Sequence, residues 1–501
     1  MSQRMAMGAL WMVLFKLLER GLGLISTLIL ARLLLPKDFG IVAMAMSVIA
    51  LLELFSTFGM DTVLIQQRNA TPAHFNTAWT LNVLAGCVVG LLLVALSLPA
   101  SHFYREPRLV PVALTLAIGA VVQGLENVGV VEFRKQLEFD KEFRYLLAKK
   151  LLAFGFTVPL AFWLRNYWAL VIGTLVGRAG AVCLSYFVQP LRPRFSLAAA
   201  SEMLHFSKWL MMQNLLSFLK ERSAAFFIGR MTGPATLGAF TVSAEIASMP
   251  GVELIAPINR AILPAYVKLA HDPEALGREY LSVMSGIALL GVPAVAGIAL
   301  TAPFIVLLVL GPAWTAAEPL LEVLAFFGIT QVLQSNAYSA FIALGKPHVF
   351  AKINAFHVVA LLICLSALTP HYGAQGAAWA YVIAAIAALP VNFYYILRFL
   401  GLRSLDFVAG LWRPLLSAAL MYLTGKMWGP TLPPGAKSSA EAFVPLISCI
   451  AFGAVVYVVA DAVLWLIAGR PAGAETWMLR ELRAALSFAR TRIAALRPGG
   501  G

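Results

Sequence analysis

The sequence predicts an all-α, polytopic membrane protein, and three observations predict it. Hydrophobic residues fill 60% of the 501 positions, with a mean hydropathy of +0.82. Only 12% of residues are charged, against about 25% in a soluble domain. Apolar runs of about 20 residues, the length of helix that crosses about 30 Å of hydrocarbon, recur from end to end. The links between them are short and carry breakers such as Pro36, Pro99, Pro193, Pro312, Pro347 and Pro433.

About fourteen such runs are expected to span. In order they lie near 8–33, 39–58, 77–98, 109–131, 145–164 and 168–189; then 207–230, 236–262, 280–306, 316–344, 350–369 and 373–399; then 410–428 and 442–468. The runs at 207–230 and 236–262 are the most polar. The order suggests an N-terminal six-helix lobe (1–195), a C-terminal six-helix lobe (196–400), two additional helices (401–469) and a basic tail (470–501). In the tail, Trp477, Leu482, Leu486 and Ile493 recur at helical spacing with arginines between them. That pattern reads as an amphipathic helix on a membrane surface.

Lysine and arginine orient the chain. With the N-terminus in the cytoplasm, roughly twenty cations fall on the cytoplasmic side and six on the other. The inner set includes Arg134, Lys135, Lys141, Arg144, Arg192, Arg194 and the tail arginines; the outer set is Lys37, Arg105, Arg108, Arg165, Lys426 and Lys437. Both termini are therefore expected inside. The net charge of +14 is read as orienting charge and attraction to anionic lipid rather than as a nucleic-acid footprint. The N-terminal run is too long for the apolar core of a cleaved signal peptide, and no A-x-A site follows it. Cys87, Cys183, Cys364 and Cys449 sit far apart in apolar runs, with no CxxC or Cys/His cluster. That excludes a disulfide framework or metal site built on them, and no cofactor is expected.

A short repeat supports the two-lobe reading. ARLLLPKDFG (31–40) and GRMTGPATLG (229–238) share R-x-x-x-P-x-x-[FL]-G, with Arg32, Pro36 and Gly40 matching Arg230, Pro234 and Gly238 at one offset. Each copy lies between the first and second runs of its group. NYWAL (166–170) and HYGAQ (371–375) likewise open the sixth run of each group. An even number of spans separates the copies, so they run the same way through the membrane, as parallel repeats do.

Charges inside the runs are the candidate functional groups. Lys16 and Arg20 share a helix face and lie roughly 12 and 18 Å into the first span. A cation there costs at least about 2.5–3.5 kcal/mol, so it faces a cavity or a partner. The seventh run carries Asn214, Ser217, Lys220, Glu221 and Arg222, and the repeat offset lays Asn214 on Lys16. One reading pairs Lys16 with Glu19, and Lys220 or Arg222 with Glu221, as structural ion pairs. A single pair in each cluster still leaves one cation over, which favours an anionic ligand. Lys16, Arg20, Lys220, Arg222, Arg178 and Asn214 are accordingly the candidate substrate-binding residues. Glu53, Glu245 and Glu253 are the candidates for ion coupling, with Glu126, Asn127, Arg260 and Asn336 as further polar positions.

FGMDTVLIQQRNATPAHFNTAWTLNVLAG (58–86) and VEFRKQLEFDKEFRYL (131–146), the latter with an F-R-x-x-L-x-F pattern, resemble the corresponding segments of bacterial polysaccharide exporters. With the R-x-x-x-P-x-x-[FL]-G turn, the chain resembles the polysaccharide-transporter (WzxC-like) branch of the multidrug/oligosaccharidyl-lipid/polysaccharide (MOP) exporter superfamily. The first half matches best, the second in pattern, and the tail not at all. The resemblance implies two six-helix lobes around a central cavity, working by alternating access in the bacterial inner membrane. It implies a polyprenyl-diphosphate-linked oligosaccharide as substrate, with membrane lipids and the polysaccharide polymerase and chain-length machinery as partners.

Two other classes compete. A cation-coupled multidrug antiporter of the same superfamily would favour acidic and aromatic cavities, whereas the intramembrane set here leans basic. An envelope-assembly enzyme would need an outer catalytic loop. The longest outer link, GPTLPPGAKSSAE (429–441), carries one acid and no His or Cys, and no nucleotide loop, HExxH or nucleophile–His–acid set is found.

Overall fold

The computed structural model describes residues 2–56, 60–66, 70–204, 207–433, 439–471 and 473–476. Among these residues there is no strand. The helices are α1 (Ser2–Leu33), α2 (Pro36–Ser56), α3 (Met60–Gln66), α4 (Pro72–Tyr104), α5 (Leu109–Gly124), α6 (Val131–Lys135), α7 (Phe139–Leu164), α8 (Trp168–Val188) and α9 (Ala200–Leu204). There follow α10 (Ser207–Thr232), α11 (Pro234–Pro250), α12 (Ala256–Leu269), α13 (Pro273–Ile305), α14 (Glu318–Gln334), α15 (Ala337–Ala343), α16 (Pro347–Leu400), α17 (Ser404–Trp428) and α18 (Ser439–Ile467). Eight helical stretches among the described residues are long and apolar enough to cross a membrane, or nine if a bent pair at 109–135 counts as one span. The chain is a multi-pass, all-α membrane protein.

Several expected spans take a particular form. The run at 236–262 is not one straight helix: α11 passes through a π-helical turn, Gly251–Ile255, into α12. The runs at 350–369 and 373–399 both fall within α16, which breaks at Gly373 (φ 57°, ψ −138°), a conformation open to glycine because it lacks a Cβ. Helix α7 begins before the apolar run, on a charged turn in which Arg144 reaches Asp140 at 2.6 Å and Lys141 reaches Glu138 at 2.8 Å. The expected tail helix lies outside the described residues beyond Thr476.

The described residues group into two compact units. The first comprises Met1–Thr241, Val309–Ala316 and Leu365–Ala377; the second comprises Val242–Leu308, Ala317–Cys364 and Ala378–Gly501. In the first, α4 pairs with α5 and α7 with α8, while α1 lies on α7 and α5 on α8. Glycine lets the α4–α5 backbones meet: a Cβ at Gly86 would fall 2.7 Å from Ala120 O, and one at Gly124 2.7 Å from Asn82 O. Small residues that let backbones close up are the usual glue between helices in lipid.

The second unit is built on α13, against which α14, α17 and α18 pack. Asp272 caps it, accepting from Ala275 N at 3.0 Å, with proline next in the first turn. Its core runs through Tyr280, Met284, Val292, Phe341, Leu400 and Phe407. A buried pair ties the residues after α18 to α17: Arg413 Nε donates to Glu475 Oε1 at 2.7 Å.

The repeat seen in the sequence is a physical seam inside the first unit. A Cβ on Gly40 would sit 1.7 Å from Pro234 O, and one on Gly238 would sit 1.8 Å from Pro36 O. Each copy's glycine thus touches the other copy's proline. The reciprocity extends outward. Trp314 Nε1 donates to Ala31 O at 2.8 Å, and Tyr104 occupies the space a Cβ on Gly229 would need, 2.7 Å away. Arg32 Nε donates to Val309 O at 2.9 Å, and Arg230 lies over the Phe103 ring at 5.9 Å. Asp38 accepts from Tyr167 N at 3.2 Å, while the break at Gly373 lies against Thr232.

Candidate functional site

The predicted cations of α1 stand on an open face. Lys16 Nζ bonds Glu19 Oε2 at 2.7 Å and remains 50% exposed. Arg20 is exposed too, and nothing lies within 4 Å of where a Cβ would stand on Gly23. Two cations against one carboxylate leave this stretch at +1. On α10, Asn214, Lys220 and Arg222 are half-buried. Lys220 feels the field of its neighbour Glu221.

Three helices of the first unit bring one acid and two guanidiniums together. Glu53 on α2 lies 3.9 Å from Arg178 Nη2 on α8, and the positive charge of Arg222 on α10 is near enough to be felt by the same carboxylate. The Arg178 side chain is only 18% exposed, and its Nη1 is buried without a hydrogen bond among the described residues. Buried guanidinium donors left unpaired are costly, and an anion placed beside them would satisfy them. One candidate substrate residue and one candidate coupling residue therefore meet, with the charge of a second candidate cation nearby. The other acids lie in the second unit: Glu245 is exposed on α11, and Glu253 falls in the π-helical turn, its side chain outside the description.

Glu53 also belongs to the wall of a polar cavity of about 530 Å³ in the first unit, together with Asp61, Asn82, Gln123, Glu126 and Lys149. Lys149 Nζ grips both Glu126 oxygens at 2.8 and 3.0 Å, and Tyr145 Oη donates to the same carboxylate. Asn127 fixes the turn beneath: it is fully buried, its Nδ2 donates to Leu191 O at 2.8 Å and its Oδ1 accepts from Gly129 N at 2.9 Å. Among the described residues no cluster of acids, histidines or cysteines forms a metal site.

Sequence reasoning named Glu53, Glu126 and Asn127 but missed Asp61, Asn82, Gln123 and Lys149. The signal was present: Asp61 and Asn82 belong to the 58–86 motif, and the 131–146 motif contains Tyr145, one helical turn before Lys149. The same grip recurs in the second unit, where Tyr422 and Lys426 on α17 both hold Glu322, Lys426 at 2.8 Å. In each unit a tyrosine and a lysine four residues apart share one carboxylate.

Known proteins resemble this chain in sequence and in fold. The chain is 26% identical over 416 residues to the lipopolysaccharide biosynthesis protein WzxC of Escherichia coli strain K12, covering 81% of this chain and 84% of that protein. The lipid II flippase MurJ in an inward closed conformation superposes with a TM-score of 0.72 at 13% identity, covering 92% of this chain and 100% of that one. An inward-facing multidrug resistance MATE family transporter of the MOP superfamily follows at 0.59 and 17% identity, covering 76% and 95%. These two likenesses concern the fold. The family model described as "Polysaccharide biosynthesis protein" matches residues 29–319, more than half of the sequence, and the chain belongs to that family.

Proposed function

We propose that this protein is a flippase for polyprenyl-diphosphate-linked oligosaccharide, carrying it by alternating access from the cytoplasmic to the outer leaflet of a bacterial inner membrane. The observation that carries the reading is the Glu53–Arg178 pair, 3.9 Å apart, with a buried guanidinium nitrogen of Arg178 left without a hydrogen bond among the described residues and the charge of Arg222 nearby. A diphosphate is the bidentate anion such donors suit. Family membership and the MurJ-like fold support the same cargo.

In this reading Lys16, Arg20, Lys220, Arg222, Arg178 and Asn214 contact the head group, and the lipid tail stays in the bilayer. Glu53 couples transport to a proton or cation: neutralising it frees Arg178 and Arg222 for the diphosphate. Glu245 and Glu253 are further coupling acids. The fourteen-span topology, the lobes at 1–195 and 196–400 with added helices at 401–469, and cytoplasmic termini belong to this proposal. So does delivery to a polymerase and chain-length machinery. The multidrug-antiporter alternative gains no support from a site with two cations for one acid.

Deleting the gene should leave lipid-linked oligosaccharide in the inner leaflet and remove surface polysaccharide. Wild-type protein should restore export; Arg178→Ala, Arg222→Ala, Lys16→Ala and Arg20→Ala at unchanged protein level should not. Normal polysaccharide in the deletion strain would refute the reading, and drug resistance on overexpression with polysaccharide unaffected would favour the antiporter.

A further inference from the structure

We propose that the polar cavity of the first unit is a subsite for the sugar unit next to the diphosphate, and that it selects an uncharged sugar over an acidic one. The inference rests on the flippase reading and adds to it a location and a charge preference.

Glu53 belongs both to the arginine site and to the cavity wall. A head group held by Arg178 and Arg222 therefore has the cavity as its neighbour. The volume of about 530 Å³ lies in the range of small-ligand sites, about 300–1,000 Å³.

An acidic ligand would meet Glu53, Asp61 and Glu126 with Lys149 as the lining cation, and Lys149 is already committed to Glu126 at 2.8 Å. A metal ion finds no suitable cluster among the described residues. An apolar ligand would strip water from two carboxamides and a carboxylate without replacing those hydrogen bonds, which is costly. A sugar replaces them. Its hydroxyls donate to Asp61 and to the carboxamide oxygens, and accept from the amide nitrogens of Asn82 and Gln123. Neither carboxamide is hydrogen-bonded to protein among the described residues, so both are available.

The walls are also preorganised. Backbone contact at Gly86 and Gly124 fixes the helices that carry Asn82 and Gln123. The Asn127 turn and the Tyr145–Lys149 grip fix Glu126. A rigid wall spends little entropy on binding.

The test uses the full chain in lipid nanodiscs and three probes of equal diphosphate charge: farnesyl methyl diphosphate, farnesyl diphosphoglucose and farnesyl diphosphoglucuronate. The glucosyl probe should bind the wild type about tenfold more tightly than the methyl probe, the gain from about two neutral hydrogen bonds. The glucuronyl probe should gain nothing over methyl. Combining Asn82→Ala with Gln123→Ala should erase the glucosyl advantage while methyl binding is kept, which also reports that the variant is folded. Equal affinity of the wild type for the glucosyl and methyl probes, or glucuronyl binding as tight as glucosyl, would overturn the subsite whatever the variants do. If the methyl probe binds and glucose adds nothing, only the subsite falls; if no probe binds, the flippase reading falls with it.

Discussion

Glu106, in the link between α4 and α5, is held as a fork: Arg108 Nε donates to Oε1 at 2.7 Å and Nη2 to Oε2 at 2.8 Å. Those bonds favour the ionised acid and hold its carboxyl below the ordinary glutamate value of 4.5. The unfolded chain therefore takes up this proton at higher pH than the folded one. The stabilisation is complete above about pH 4.5 and fades as pH falls through the lower, folded value. Glu106→Gln should melt below the wild type at pH 7, and the gap should close in acid; a gap unchanged at low pH would refute this account. Single residues also show what a sequence discloses. Glu126 could be named as a polar position because a carboxylate in an apolar run stands out. Asn82 and Gln123 were not, since a lone carboxamide in a helix is common. Only the fold brings them to one wall.

Elements show how much pairing the sequence concealed. The all-α class and the R-x-x-x-P-x-x-[FL]-G turns could be read from residues alone. That the two turns embrace each other could not, because the partners lie 198 positions apart (Gly40 and Gly238). The bend at Gly251–Ile255 was equally hidden, for apolar periodicity survives a π turn. The seam makes a quantitative prediction. A methyl group at Gly40 or Gly238 would sit within 2 Å of a proline carbonyl oxygen, so either alanine substitution should cost about 1–3 kcal/mol through overpacking. The two should not add. Once one methyl has parted the turns the other finds room, so the double variant should lose clearly less than the sum. Thermal unfolding of the purified variants measures the cycle, and strict additivity would show that the two contacts are independent.

At the scale of the whole molecule, composition alone indicated a membrane protein, because 12% charge cannot clothe 501 residues in water. Orientation rests on the cation bias, roughly twenty to six. Reporter fusions check it: alkaline phosphatase should be inactive at either terminus and active when inserted in the link at 105–108, and the opposite pattern would invert the topology. The charged site was half legible. Its cations could be named, but not that Arg178 meets Glu53 with the charge of Arg222 nearby, since helices far apart in sequence supply them. The seam has a last consequence, for how far its two turns can change. Of the ten positions compared, three are identical, and two of them, the proline and the glycine, are the residues that meet. At the seam neither copy can change alone, because each glycine is the only residue that fits under the other copy's carbonyl. Mutual contact gives the two turns a reason to stay alike that neighbours of solvent or lipid would not supply.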